Sequence, residues 1–372
     1  MKSVLIALMA ASFVTVASAA DSPATSVPVG PPPNPVRVDA DGTVHVPPIT
    51  IPPSEYLSTE GKAYMAEHLN DMQHPEKVTP RDGSGVPPFL AGYLHRQQIL
   101  FPVDQQDTTI AGVHAFIYTP KTGIAAKNAN RVLINLHGGG FMGCWPACGQ
   151  LESIPISSLG QMKVISLDYR EGPKFQYPAA SEDVAAVYKE LLKTHRPENI
   201  GIYGCSAGGM LTGMSVAWFQ KHALPKPGAI GILCAGLTMS VGFGGDANYI
   251  SVPAGEARMP FVPPPSASGT QKPPRGGLPY FANADVNDPL VSPAVSLDVL
   301  AKFPPTLIVT ATRGMELSSS VYSHSRLVKA GAEADLHVWE GLFHGFFYNP
   351  DVPESRDCYD VIVKFFDRHL AK

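Results

Sequence analysis

The chain has 372 residues, 44% of them apolar and 16% charged, with a formal net charge of −4. That is ordinary globular composition, which excludes a disordered or collagen-like chain, and no basic surplus exists to neutralise the phosphates of a nucleic acid. Proline is the outlier, with 37 residues, and its clustering marks linkers and irregular loops.

In chain order, Met1-Lys2, the apolar run Val4–Ala11 and the small residues Ala17-Ser18-Ala19-Ala20 form an export signal over residues 1–20. The run is too short, and too interrupted by Ser12 and Thr15, to span a bilayer. The mature protein is therefore expected to be periplasmic or secreted, with no integral membrane span. Residues 21–53 hold ten prolines and read as an extended arm. Residues 55–73 read as a helix on the spacing of Leu57, Tyr64, Met65, Leu69 and Met72, with Gly61 as a weak point. Residues 93–119 read as a hairpin or two strands. From residue 131 onward buried-strand runs alternate with helices. The strands are 132–136, 164–167, 200–203, 229–233, 306–310 and 336–339. The helices are 181–195 (capped by Ser181), 207–222, 319–330 and 355–370. Such alternation predicts an α/β fold, a mostly parallel sheet flanked by helices. Residues 238–300 lack periodicity and read as a lid over the end of the sheet. Five cysteines occur, so at least one is unpaired within the chain. Cys144 and Cys148 either pair in an oxidising compartment or are buried as small hydrophobes, and no second pair has zinc-ligand spacing.

Two motifs carry chemistry. Gly204-Cys205-Ser206-Ala207-Gly208, between a strand and a helix, has the context of a nucleophile elbow, with Ser206 as the nucleophile. His137-Gly138-Gly139-Gly140-Phe141 follows strand 132–136 and exposes backbone N–H groups suited to an oxyanion. A hydroxyl nucleophile needs a base. Of the histidines beyond Ser206, His344 lies in a loop after a strand, whereas His222, His324, His337 and His369 sit on predicted helices or a strand.

Together HGGGF, GCSAGG, Asp168-Tyr169-Arg170, Tyr177-Pro178-Ala179-Ala180 and GLFHGF resemble the hormone-sensitive-lipase-like branch of the α/β-hydrolases over about residues 90–372. The resemblance implies a serine esterase acting on a small-molecule ester of short-to-medium acyl chain through an acyl-enzyme, without a metal or organic cofactor. It matches Ser206 to the nucleophile and His344 to the base. Gly139, Gly140 and Ala207 match the oxyanion donors, and Asp168 and Arg170 match a structural loop. It further implies a catalytic domain over 93–237 and 286–372, with a cap built from 54–92 and 238–285. Phe141, Phe243 and Phe343 are candidate pocket residues. A homodimer is compatible with all of this.

Two departures stand out. Cys205 replaces the acidic residue usual before the serine. Gly314 occupies the position where the triad aspartate is expected. Three readings follow: Glu316, two residues on, takes over; an acid from elsewhere, Asp288 or Asp285, serves; or the triad is degraded and the chain only binds a small apolar ligand.

Overall fold

The computed structural model describes residues 36–78, 88–239, 245–259 and 278–371. The expected export signal, the start of the proline-rich arm and parts of the 238–285 insertion, Phe243 included, lie outside them. The described residues up to Ile51 belong to one unit. Its described part is a pair of exposed two-residue strands, β1 (Arg37–Val38) and β2 (Val44–His45), paired antiparallel.

From Pro52 the chain is a second unit, built on an eight-stranded sheet. The strands are β3 (Val103–Ile110), β4 (Val113–Pro120), β5 (Val132–Leu136), β6 (Lys163–Leu167), β7 (Ile200–Cys205), β8 (Ala229–Leu233), β9 (Thr306–Ala311) and β10 (Ala334–Trp339), in the spatial order β10-β9-β8-β7-β5-β6-β4-β3. Pairing is parallel from β10 through to β6. It is antiparallel where β4 meets β6 and β3. The central strands β5, β7, β8 and β9 are buried along their whole length. That is why they read as unbroken apolar runs rather than alternating ones.

The helices are α1 (Thr59–Met72), α2 (Pro75–Val78), α3 (Leu90–Leu100), α4 (Ala147–Gly160), α5 (Ala179–Leu191), α6 (Ala207–Lys221), α7 (Ala247–Glu256), α8 (Leu297–Leu300), α9 (Leu317–Lys329) and α10 (Pro353–His369). Strand side chains alternate between two cores. Val132, Ile134 and Leu136 of β5 share one core with Val184 of α5 and Leu211 of α6. Leu133 shares the other with Ile154 of α4 and Phe366 of α10.

The sheet order creates the functional crevice. From β5 the chain moves outward to β6, then returns to β7 on the other side of β5. The loops after β5 and β7 therefore leave the sheet in opposite directions, and the C-terminal ends of adjacent strands at such a reversal are where open α/β sheets bind ligands.

Several elements differ from the sequence reading. Residues 90–100, expected in part as strand, are α3. Its side chains tie it to the loop before α10: Gln97 donates to the Tyr348 carbonyl at 3.1 Å, and Arg96 pairs with Asp351 at 2.7 Å. The hairpin follows it as β3 and β4. Helix α4 is absent from the sequence reading, because Pro155 lies inside it and nearly every side is buried, which erases the amphipathic pattern. The stretch 238–300 contains α7 and α8, the former again with an internal proline, Pro253. Ser181 lies inside α5 and does not cap it. Gly61 leaves room in α1 for the Glu354 carboxylate, since a Cβ there would come 2.9 Å from its Oε1. That carboxylate accepts from the cap residue Ser58 at its amide (2.7 Å) and hydroxyl (2.8 Å), fastening α1 to α10.

Candidate active site

The turn from β7 into α6 is set by sterics. Ser206 has φ 56° and ψ −119°, a strained conformation for a residue with a Cβ. A Cβ on Gly204 would lie 2.1 Å from the Leu136 carbonyl oxygen, and one on Gly208 only 1.7 Å from the same atom. Only glycine at both positions lets the strand, the helix and the end of β5 pass so closely. The Ser206 amide donates to the Leu233 carbonyl at 2.8 Å, locking the elbow to β8.

Beside the elbow, the loop after β5 carries Gly139 at φ 123° and Gly140 at φ 65°. A Cβ on Gly139 would meet the Gly143 carbonyl oxygen at 1.9 Å. Among the described residues no acceptor takes the N–H of Gly139 or Gly140. Ala207 is the first residue of α6, whose amide has no intrahelical acceptor. These three donors stand free for an anionic oxygen.

His344 follows β10 in the loop before α10 and is 19% exposed at its side chain. Its Nδ1 lies 2.8 Å from Glu316 Oε2. The other carboxylate oxygen of Glu316 accepts from Thr310 Oγ1 at the end of β9, also at 2.8 Å. Burial disfavours charge on both side chains, but their mutual attraction and hydrogen bond outweigh it. His344 is held above the ordinary imidazole range and Glu316 below the usual carboxylate range. The alternatives go elsewhere: Asp285 and Asp288 accept from the amides of Asn287 and Leu290 in their own loop.

Gly314 has a steric explanation. A Cβ there would lie 2.6 Å from Glu316 Oε1 and 3.0 Å from Oε2. The longer side chain of Glu316 folds back over residue 314, and that fold needs the position empty.

Ser206, His344 and Glu316 line one cavity of about 50 Å³, together with Met210, Cys234, Thr238, Met239, Met315 and Ser319. A larger surface cavity beside Lys127, Arg131 and Asp367 holds no nucleophile–base pair. Phe141 and Phe343 do not line the cavity at Ser206. Phe141 is fully buried, stacked on Tyr280 at 4.9 Å and edge-on to Phe281. Phe343 packs under α1, stacked on His68 at 3.5 Å. Both serve packing because neighbouring buried side chains enclose each ring. Phe243 lies outside the described residues.

Sequence reasoning missed Thr310 and Cys234. Both lie at or just past the C-terminal ends of strands, the position that could have flagged them. The Cys234 thiol accepts from the Gly345 amide at 3.3 Å and so steadies the histidine loop. Cys234, Glu316 and His344 place one donor atom each within 4.8 Å of one another. Cys144 and Cys148 are disulfide-bonded at the start of α4, while Cys205, Cys234 and Cys358 are free and buried.

A family model of the α/β hydrolase fold matches residues 133–348, which contain the glycine loop, the elbow, Glu316 and His344. The chain belongs to the α/β hydrolases. Members of the family similar to it include an acetyl-hydrolase of Streptomyces hygroscopicus, 27% identical over 242 residues, 64% of this chain and 76% of the relative. The carboxylesterase/phospholipase LipF of Mycobacterium tuberculosis is 31% identical over 250 residues, 65% of this chain and 63% of that protein. The crystal structure of an esterase, E25, superposes with a TM-score of 0.71 at 27% identity, covering 88% of this chain and 99% of E25. Like these hydrolases, the chain is a carboxylic ester hydrolase. No helix among the described residues is long and apolar enough to cross a membrane.

Proposed function

We propose that the protein hydrolyses esters of short acyl chains with Ser206 as nucleophile, His344 as general base and Glu316 as the acid that orients it. The observation that carries this reading is the 2.8 Å contact between His344 Nδ1 and Glu316 Oε2 in the cavity lined by the strained Ser206. The Ser206 hydroxyl attacks the ester carbonyl carbon while His344 Nε2 takes its proton. The developing oxyanion is held by the amides of Gly139, Gly140 and Ala207. Collapse of the tetrahedral adduct expels the alcohol, which recovers that proton from His344. Water then repeats the sequence on the acyl-enzyme.

The name of the Streptomyces relative, an acetyl-hydrolase, supports an acyl group of a few carbons. The N-terminal pattern of residues 1–20 supports export, and the Cys144–Cys148 disulfide suits an oxidising compartment. Gly314, the feature that favoured a non-catalytic binder, is accounted for by the Glu316 carboxylate occupying its space.

The test is initial rates on p-nitrophenyl esters from acetate to dodecanoate, wild type against Ser206→Ala. Rates highest at acetate or butyrate, and lower by about 10⁴-fold or more in Ser206→Ala, are expected. Rates at background on every ester would overturn the reading.

A further inference from the structure

Buried in α4 is a carboxylate that the mechanism above does not use. Glu152 is 2% exposed, and its two oxygens accept four hydrogen bonds. Oε1 takes the Gly138 amide at 2.8 Å and the Tyr348 hydroxyl at 2.8 Å. Oε2 takes Asn135 Nδ2 at 2.9 Å and the Cys205 amide at 3.1 Å. These donors come from three separate pieces of the site. Gly138 begins the glycine loop, Cys205 directly precedes Ser206, and Tyr348 lies four residues beyond His344. No cation faces the carboxylate in these bonds.

Three of the four donors are fixed in their roles. The Ser166 hydroxyl donates to Asn135 Oδ1 at 2.7 Å, which turns the amide nitrogen of Asn135 toward Glu152. Two of the remaining donors are backbone N–H groups, which cannot reverse roles. Burial pushes the Glu152 carboxyl up to about 7, and the four bonds pull against that. The helix is fixed in turn: the Tyr203 hydroxyl donates to the Glu152 carbonyl at 2.9 Å, and the disulfide closes at Cys148, one turn before Glu152.

We propose that Glu152 is the positioning residue that holds the oxyanion loop, the nucleophile elbow and the histidine loop in mutual register. It touches no substrate. It acts by fixing the peptide that precedes Gly139 and the peptide that precedes Ser206, so that free amides and hydroxyl converge on one carbonyl. The inference rests on the reading of Ser206 as nucleophile, and it explains why a fold would retain an uncompensated buried carboxylate.

The test compares wild type, Glu152→Gln and Tyr348→Phe on p-nitrophenyl acetate and by amide hydrogen exchange. Glutamine keeps the shape but presents an NH₂ to two donors. The expected result is kcat lower by about 100-fold, the scale of a misplaced oxyanion donor, with KM within about three-fold. Exchange should accelerate in peptides covering 137–145 and 204–210 but not in α10. Tyr348→Phe removes one donor and leaves the carboxylate, so kcat should fall by about five- to ten-fold with KM unchanged. It carries the test should Glu152→Gln fail to fold. A kcat within two-fold of wild type in the folded variants overturns the proposal, as does a uniform rise in exchange over the whole domain. The exchange comparison needs no substrate. An inactive wild type would therefore count against the esterase reading alone, while local acceleration or its absence still decides the role of Glu152.

Discussion

The nucleophile elbow and the acid loop belong to the same site but are constrained in opposite ways. At the elbow, backbone passes backbone: Gly204 and Gly208 each face the Leu136 carbonyl oxygen with no space for a methyl group. Neither neighbour can yield without breaking the sheet. At the acid loop the constraint falls on a carboxylate at the end of a flexible side chain. A carboxylate can be delivered to His344 from more than one residue, provided its path is clear. Here it is delivered from residue 316, and the cleared path is Gly314. Rigid sterics fix a pattern in sequence, whereas a reachable point in space fixes only a chemical group.

The elbow should be the less tolerant of the two. Gly208→Ala should cost about 3 kcal/mol or more of stability, because the added carbon has only backbone to displace. Thermal unfolding monitored by circular dichroism checks this, and an unchanged midpoint would remove the steric argument. A milder effect is expected at the acid loop. Gly314→Ala forces the Glu316 carboxylate to shift by a few tenths of an ångström or more, and turnover should fall by about ten-fold with the fold intact. The paired change Gly314→Asp with Glu316→Ala returns the acid to residue 314. It should recover part of the activity that Glu316→Ala alone loses, measured as kcat on p-nitrophenyl acetate. No recovery would mean that the loop after β9 has a path suited to glutamate only. A further effect, on stability alone, concerns the helix that carries Glu152. Removing the Cys144–Cys148 bridge by Cys144→Ser and Cys148→Ser closes no long loop, so the loss should be about 2 kcal/mol. Urea unfolding of the double variant measures it.

The same contrast explains what was legible in the sequence. Ser206 and the glycine loop announce themselves because their backbone geometry admits few residue types. The fully buried strands β5, β7, β8 and β9 are legible as apolar runs. His344 is legible by its place in a loop after a strand. Glu316 could be nominated but not separated from Asp285 and Asp288, since reach depends on the path of a loop that no periodicity describes. Helix α4 and Glu152 were invisible. A helix buried nearly all round, with Pro155 inside, shows neither amphipathic spacing nor an uninterrupted helical composition, and its importance lies in contacts to residues 14, 53 and 196 positions away. Helix α3 was misread because its apolar residues do not share one stripe: Leu90 packs with Cys148 and Leu151 of α4, whereas Ile99 and Leu100 are exposed.

Whether Glu316 serves His344 as the triad acid is decided by the pH–rate profile of Glu316→Gln beside wild type. Catalysis needs neutral His344, so the rate rises as pH rises through its pKa. The Glu316 charge holds that pKa above the ordinary imidazole value, so the wild-type acid limb should lie on the alkaline side of it. In Glu316→Gln the charge is gone and burial remains, so the limb should move to lower pH. Turnover on the plateau should fall by about 100-fold or more, since the imidazole loses the partner that sets its tautomer. An acid limb in the same place, with turnover within a few-fold of wild type, would contradict the account and leave the triad without its third member.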